Sequence, residues 1–168
     1  MLSKILSREE CASCKFCCSF RKQSLWETPI FNDEIKQKID KLYPDVKFRE
    51  IKTLEGKSRY YTIDLFDSYK TDNPEEEVKC PFLEDGKGCI LSAELKPFDC
   101  SIWPLRVMKK PQSEKNILSL TPTCQAINKI PFEKLKSFVN DELRIKILEY
   151  AKNNPEIIKE YKEGFPVF

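Results

Sequence analysis

Four cysteines fall within eight residues, Cys11-Ala12-Ser13-Cys14-Lys15-Phe16-Cys17-Cys18, and four more follow at Cys80, Cys89, Cys100 and Cys124. Clustered thiols in this pattern point to metal binding. The chain has no histidine, so a transition-metal site must be built from sulfur with at most carboxylate or water help, which narrows the chemistry to zinc or iron–sulfur. Cys11, Cys14 and Cys17 follow the C-x-x-C-x-x-C spacing of ferredoxin-type loops, where a tightly turning backbone aims successive sulfurs at one centre. Were the segment an α-helix, Cys11, Cys14 and Cys18 would share a face instead. Adjacent residues point their side chains in different directions, so Cys17 and Cys18 are expected to have different destinations.

The downstream cysteines sit in rigid or tightly turning sequence. Cys80 precedes Pro81, as in the Cys-Pro that closes the bacterial ferredoxin run. Cys89 follows Gly86-Lys87-Gly88, which permits a metal knuckle or an ordinary surface turn. Cys100 lies between Pro97 and Pro104, and Cys124, after Thr121-Pro122-Thr123, also suits a small buried core residue. Other chemistries lack their parts. A nucleophilic cysteine would have only lysine, carboxylate or tyrosine as its base. Four glycines, at 56, 86, 88 and 164, make neither a phosphate-binding loop nor a dinucleotide fingerprint.

Composition sets the frame. A chain of 168 residues buries a core without disulfide staples, and eight cysteines in that length fall below the ~8–10% of a disulfide scaffold. The N-terminal residues lack an apolar run of secretory length, and no stretch approaches the roughly 20 apolar residues of a membrane span. The expected location is the cytoplasm, where clustered thiols stay reduced. Twenty-nine basic against 27 acidic residues give a net charge of +2, which is no footprint for nucleic acid.

Short elements must position these sulfurs. Asn32-Asp33-Glu34-Ile35 opens a helix with apolar positions Ile35, Ile39 and Leu42, ending before Pro44. Residues 46–52 and 58–66 suit a hairpin turning at Leu54-Glu55-Gly56-Lys57, and residues 105–110 and 116–120 suit a second. Prolines recur from Cys80 to Pro131, so no long helix survives there. Leu135, Phe138, Val139, Leu143, Ile147 and Tyr150 recur at helical spacing after Pro131, and a last short helix is expected over 155–163. The expectation is a single α+β domain: a cysteine-rich core over 11–124 with short β-hairpins, and a C-terminal helical pair over 131–163.

Cys11-x-x-Cys14-x-x-Cys17-Cys18, Cys80-Pro81-Phe82-Leu83, Gly88-Cys89-Ile90-Leu91 and Lys96-Pro97-Phe98-Asp99-Cys100-Ser101-Ile102-Trp103-Pro104-Leu105-Arg106, taken in order, resemble the YkgJ-type CxxCxxCC cysteine-cluster family. Its members are described as zinc- or iron-chelating proteins and are often assigned iron–sulfur clusters. Where the family usually has Arg-Pro, this chain has Lys96-Pro97; Trp103-Pro104 fits the aromatic-Pro. The resemblance implies that Cys11, Cys14, Cys17, Cys18, Cys80, Cys89 and Cys100 carry the signature, with Cys124 like a later cysteine of many members. One branch includes flagellin lysine N-methylases. Those proteins are considerably longer and this chain shows no glycine-rich methyl-donor site, so methyl transfer ranks last.

Eight thiolates divide numerically into two four-sulfur sites. Many divisions are open; one that separates the vicinal pair puts Cys11, Cys14, Cys17 and Cys80 in one site and Cys18, Cys89, Cys100 and Cys124 in the other. The triple spacing, the Cys-Pro and the resemblance favour a [4Fe-4S] cluster and an electron-transfer or redox-enzyme role, an iron–sulfur oxidoreductase or a component of one, with a redox or substrate protein as partner. Structural zinc in a non-catalytic interaction module is the alternative. Phe16, Phe20, Trp26, Phe82, Phe98 and Trp103 are expected to shield the metal. Lys15 and, more strongly, Arg106 are candidate donors to cluster sulfur or an anionic ligand.

Overall fold

The computed structural model describes residues 2–22, 24, 26–52, 59–113 and 115–168. In chain order the first elements are α1 (Arg8–Cys14), β1 (Ser19–Arg21), β2 (Phe31–Asn32), α2 (Asp33–Leu42), β3 (Phe48–Ile51), β4 (Tyr60–Ile63) and β5 (Glu77–Lys79). There follow β6 (Leu83–Glu84), β7 (Gly88–Cys89), α3 (Phe98–Ile102), β8 (Leu105–Lys109), β9 (Asn116–Leu120), α4 (Phe132–Phe138), α5 (Arg144–Asn153) and β10 (Lys159–Glu160). The mixed α+β class is as expected, with several small sheets and a C-terminal helix. The chain divides into two compact units, one of Lys15–Cys100 and one of Met1–Cys14 with Ser101–Phe168.

In the unit of residues 15–100, α2 begins where the sequence predicts. The Asn32 side chain accepts a hydrogen bond from the Ile35 backbone N–H at 2.8 Å, and Asp33 and Glu34 occupy the first turn, where the helix dipole favours negative charge. Ile39 is fully buried, whereas Leu42, expected on the same stripe, is exposed. The helix is in its last residue there, so the stripe runs out over solvent. β2, β4 and β3 form a three-stranded antiparallel sheet with Phe31 opposite Tyr61 and Phe48 opposite Ile63. This contains the first expected hairpin; its turn at 54–57 lies outside the described residues. Phe20, Phe31, Ile39, Ile63, Leu65, Phe82, Leu91 and Leu95 make the core, with Cys80 and Cys89 packed against it. Phe31 meets Phe48 edge-on at 5.2 Å, and Tyr43 meets Phe82 edge-on at 5.5 Å between ring centroids.

The other unit is a sheet with helices. β8 and β9 pair antiparallel as the second expected hairpin, and Leu105 opposite Leu120 and Val107 opposite Leu118 give one face two apolar pairs before Lys109 meets Asn116 at its end. The C-terminal helix buries Leu135, Val139, Leu143, Ile147 and Ala151, a strict four-residue repeat that would drift by ~40° per step on a regular α-helix. A π-helical segment at Val139–Leu143 joins α4 to α5. The wider turn corrects the drift and keeps the stripe on one side. The expected helix over 155–163 does not form. A 3₁₀ turn at Pro155–Ile157 leads into β10, which pairs parallel with β8, Lys159 opposite Met108. Ile157 and Lys159 are both buried, which is the period of a strand and not of a helix. No helix among the described residues is long and apolar enough to cross a membrane.

Candidate metal centre

The helical alternative for the first cysteine cluster is correct for half of it. Cys11 and Cys14 lie three apart on α1, which ends at Cys14. Lys15 then takes a left-handed conformation, φ 56°, and residues Phe16–Cys18 form a 3₁₀ turn closed by the Cys18 N–H donating to the Lys15 carbonyl at 3.0 Å. Ser19 is extended, φ −123° and ψ 135°, and opens β1. Cys17 and Cys18 thus sit at the corner where helix becomes strand. Their sulfurs are 4.0 Å apart. The two side chains lean together instead of pointing apart, because a corner, unlike a regular strand, lets neighbouring side chains do so.

β1 aligns this corner with Cys80. Ser19 faces Lys79 and Arg21 faces Glu77 in the β1–β5 pair, and the Cys80 N–H extends the ladder by donating to the Cys18 carbonyl at 2.7 Å. Cys89 arrives by a second route. β6 and β7 pair as a small hairpin with Leu83 opposite Cys89, closed by Lys87 N–H to the Glu84 carbonyl at 3.2 Å. Gly86 in its turn has φ +79°, a conformation that glycine adopts without steric cost. Cys100 is carried by α3.

Charge links these five thiols. Cys18 is held in its thiol form well above the ordinary range by its hydrogen bond with Cys17, by burial, and by the charges of Cys17, Cys80 and Cys100. Burial pushes Cys80 up to about 12, with the charges of Cys89 and Cys17 adding to it. The grouping within residues 15–100 is therefore Cys17, Cys18, Cys80, Cys89 and Cys100, and it crosses the expected two-site division by keeping Cys17 with Cys18. Cys11, Cys14 and Cys124 belong to the other unit; Cys11 is exposed and Cys124 buried.

Thiols crowded this way resist ionising, and a bound cation reverses that outright, since coordination deprotonates the sulfur. The donor set fits zinc or iron. No disulfide occurs among the described residues, and no three histidine, cysteine, aspartate or glutamate side chains among them already form a group that could hold an ion. An ion would therefore draw the sulfurs inward, the usual coupling of metal binding to folding.

A salt bridge that the sequence reading passed over ties the segments together. Asp85, in the β6–β7 turn, accepts from Lys15 Nζ at 2.6 Å and lies 3.4 Å from Lys79 Nζ. One carboxylate thus joins the residue before the Cys17–Cys18 corner, the residue before Cys80, and the hairpin carrying Cys89. Asp85-Gly86 in the sequence signals the turn, but nothing local to it announces partners 70 and 6 positions away. Of the expected aromatic shell, Phe20 and Phe82 are buried, while Phe16 is 47% exposed. Arg106, the stronger candidate donor, is buried in the other unit and stacks on Trp103 at 4.5 Å from the ring centroid. No family model, curated protein or solved structure matches the chain.

Proposed function

We propose that residues 15–100 carry a sulfur-only metal centre built from Cys17, Cys18, Cys80, Cys89 and Cys100. The observation that carries this reading is the corner at 16–18, where the Cys17 and Cys18 sulfurs lie 4.0 Å apart and the Cys18 carbonyl accepts from the Cys80 N–H; the charges of Cys89 and Cys100 reach the same thiols. Iron–sulfur chemistry with an electron-transfer or redox-enzyme role is the first form of the proposal, supported by the Cys80-Pro81 pair. Phe16, exposed beside the pair, suits contact with a redox or substrate protein partner.

Structural zinc is the second form, and the 4.0 Å approach of the Cys17 and Cys18 sulfurs favours it. A cubane cluster offers each cysteine its own iron and so keeps ligand sulfurs farther apart than two on one ion. Purification without oxygen, followed by elemental analysis and a visible spectrum, separates the forms. Several irons per chain with broad visible absorption support the redox role, and stoichiometric zinc in a colourless sample supports the structural one. A reduced chain that retains neither metal, and takes up neither on reconstitution, would refute the centre.

A further inference from the structure

We propose that Cys17 and Cys18 bind the same metal atom as a chelating vicinal pair. This rests on the zinc form of the metal-centre reading above and adds to it that the two vicinal sulfurs share one atom. Two bonds of ~2.3 Å to one zinc-like ion span at most ~4.6 Å, and tetrahedral geometry sets the sulfurs ~3.8 Å apart. The observed separation of 4.0 Å already lies inside that span and close to the tetrahedral value.

The backbone explains how consecutive residues achieve this. In a strand their side chains would point to opposite faces. Here the left-handed Lys15, the 3₁₀ turn and the extended Ser19 place the pair at a bend. The bend is fixed on both sides: the Cys18 N–H is bonded to Lys15, and the Cys18 carbonyl accepts from Cys80. That last bond also sets the Cys80 backbone beside the pair.

The competing fate of such a pair is a disulfide between neighbours. Consecutive Cα atoms across a trans peptide are ~3.8 Å apart, shorter than the ~4.4–6.8 Å that unstrained disulfides require. Chelation asks for no such distortion. A soft cation that accepts thiolates is thus the ligand class this corner fits.

The test uses the reduced, metal-stripped full chain with one equivalent of zinc. Brief alkylation with iodoacetamide is followed by chelation, a second label of different mass, and trypsin. Cleavage after Lys15 and Arg21 releases residues 16–21, a peptide holding Cys17 and Cys18 and no other cysteine. If one ion holds both, each peptide molecule carries two first labels or two second labels. Peptides carrying one of each as the main product would overturn the proposal. Cys17→Ser and Cys18→Ser should each weaken zinc binding, read by chelator competition, by more than the ~100-fold that loss of an outer-shell partner costs. Unchanged affinity in either variant also overturns it. Protection of Cys80, Cys89, Cys100 and only one of the pair would defeat the chelate while leaving the metal centre standing. Protection of none of the five would defeat both.

Discussion

The two compact units are held together by different means. The unit of residues 1–14 and 101–168 has a hairpin of five residue pairs with adjacent Leu105–Leu120 and Val107–Leu118 pairs on one face, and a long helical stretch whose every fourth residue is buried. Among the described residues, the unit of residues 15–100 has one three-stranded sheet, two ladders of two or three residue pairs, and a packed core cluster of eight buried side chains. Its thiols lie where those ladders are shortest, at the ends of β1, β5 and β7. Short ladders contribute few hydrogen bonds, and a small core contributes limited burial. Side-chain cross-links through a metal ion would supply what the backbone does not, as in small metal-dependent domains.

The contrast is most open to challenge in the cores. Phe31→Ala removes a fully buried ring that meets Phe48 and Phe82, and should destabilise its unit by ~3–5 kcal/mol. Ile147→Ala, equally buried in α5, should destabilise the other by ~2–5 kcal/mol. Hydrogen exchange followed segment by segment tells them apart, because it reads local opening. Zinc at about 1,000 times its dissociation constant adds ~4 kcal/mol to whatever binds it, so it should restore protection around Phe31 and leave the loss around Ile147. Equal rescue of both segments would show that the two regions open as one and that the contrast has no energetic content.

Legibility from sequence followed range. Asn32 as a cap, the β8–β9 hairpin and the buried positions of the C-terminal helix were readable because each depends on residues a few places apart. The strand at Lys159–Glu160 was not: a two-residue strand is made by the neighbour it joins, here β8, and its own residues resemble a helix end. The cysteines as a class were legible from their spacing and from the missing histidine. Their grouping was not, because it depends on the bend at Lys15, a non-glycine residue with positive φ. No propensity would place that conformation at a lysine. The Asp85 bridge is hidden for the same reason, since its partners meet only after β1, β5 and the β6–β7 hairpin have formed.

A smaller effect sharpens the comparison at the edge of the sulfur-bearing unit. Asn32→Ala deletes the bond to the Ile35 N–H and should lower stability by ~1 kcal/mol. It sits at the start of α2, on the far end of β2 from the thiol segments in sequence. Denaturant midpoints should fall, while the rates at which Cys17, Cys18, Cys80 and Cys89 react with a thiol reagent under native conditions stay within a few-fold. A large rise in those rates would mean that the thiol corner borrows its order from α2.

Asp85→Asn should act in the opposite sense, with little effect on global stability and a local effect on the sulfurs. Its carboxylate is held below the usual aspartate range by the hydrogen bond from Lys15, then by the charges of Lys15 and Lys79. A lowered folded value means that the bridge contributes at pH above the ordinary aspartate range and is lost as pH falls through the lowered one. All three side chains are at least a third exposed, so water and salt screen the interaction. The expected result is faster alkylation of Cys89 and faster amide exchange at Gly88 and Cys89 in the variant, with unchanged exchange in the core of α5. High salt should reproduce most of that acceleration in the natural chain and add little to the variant, and Asp85→Glu should restore part of it. If salt accelerates both chains equally, the carboxylate is a spectator, and the hairpin's own closure, through Gly86 and the Glu84–Lys87 bond, is sufficient to present Cys89.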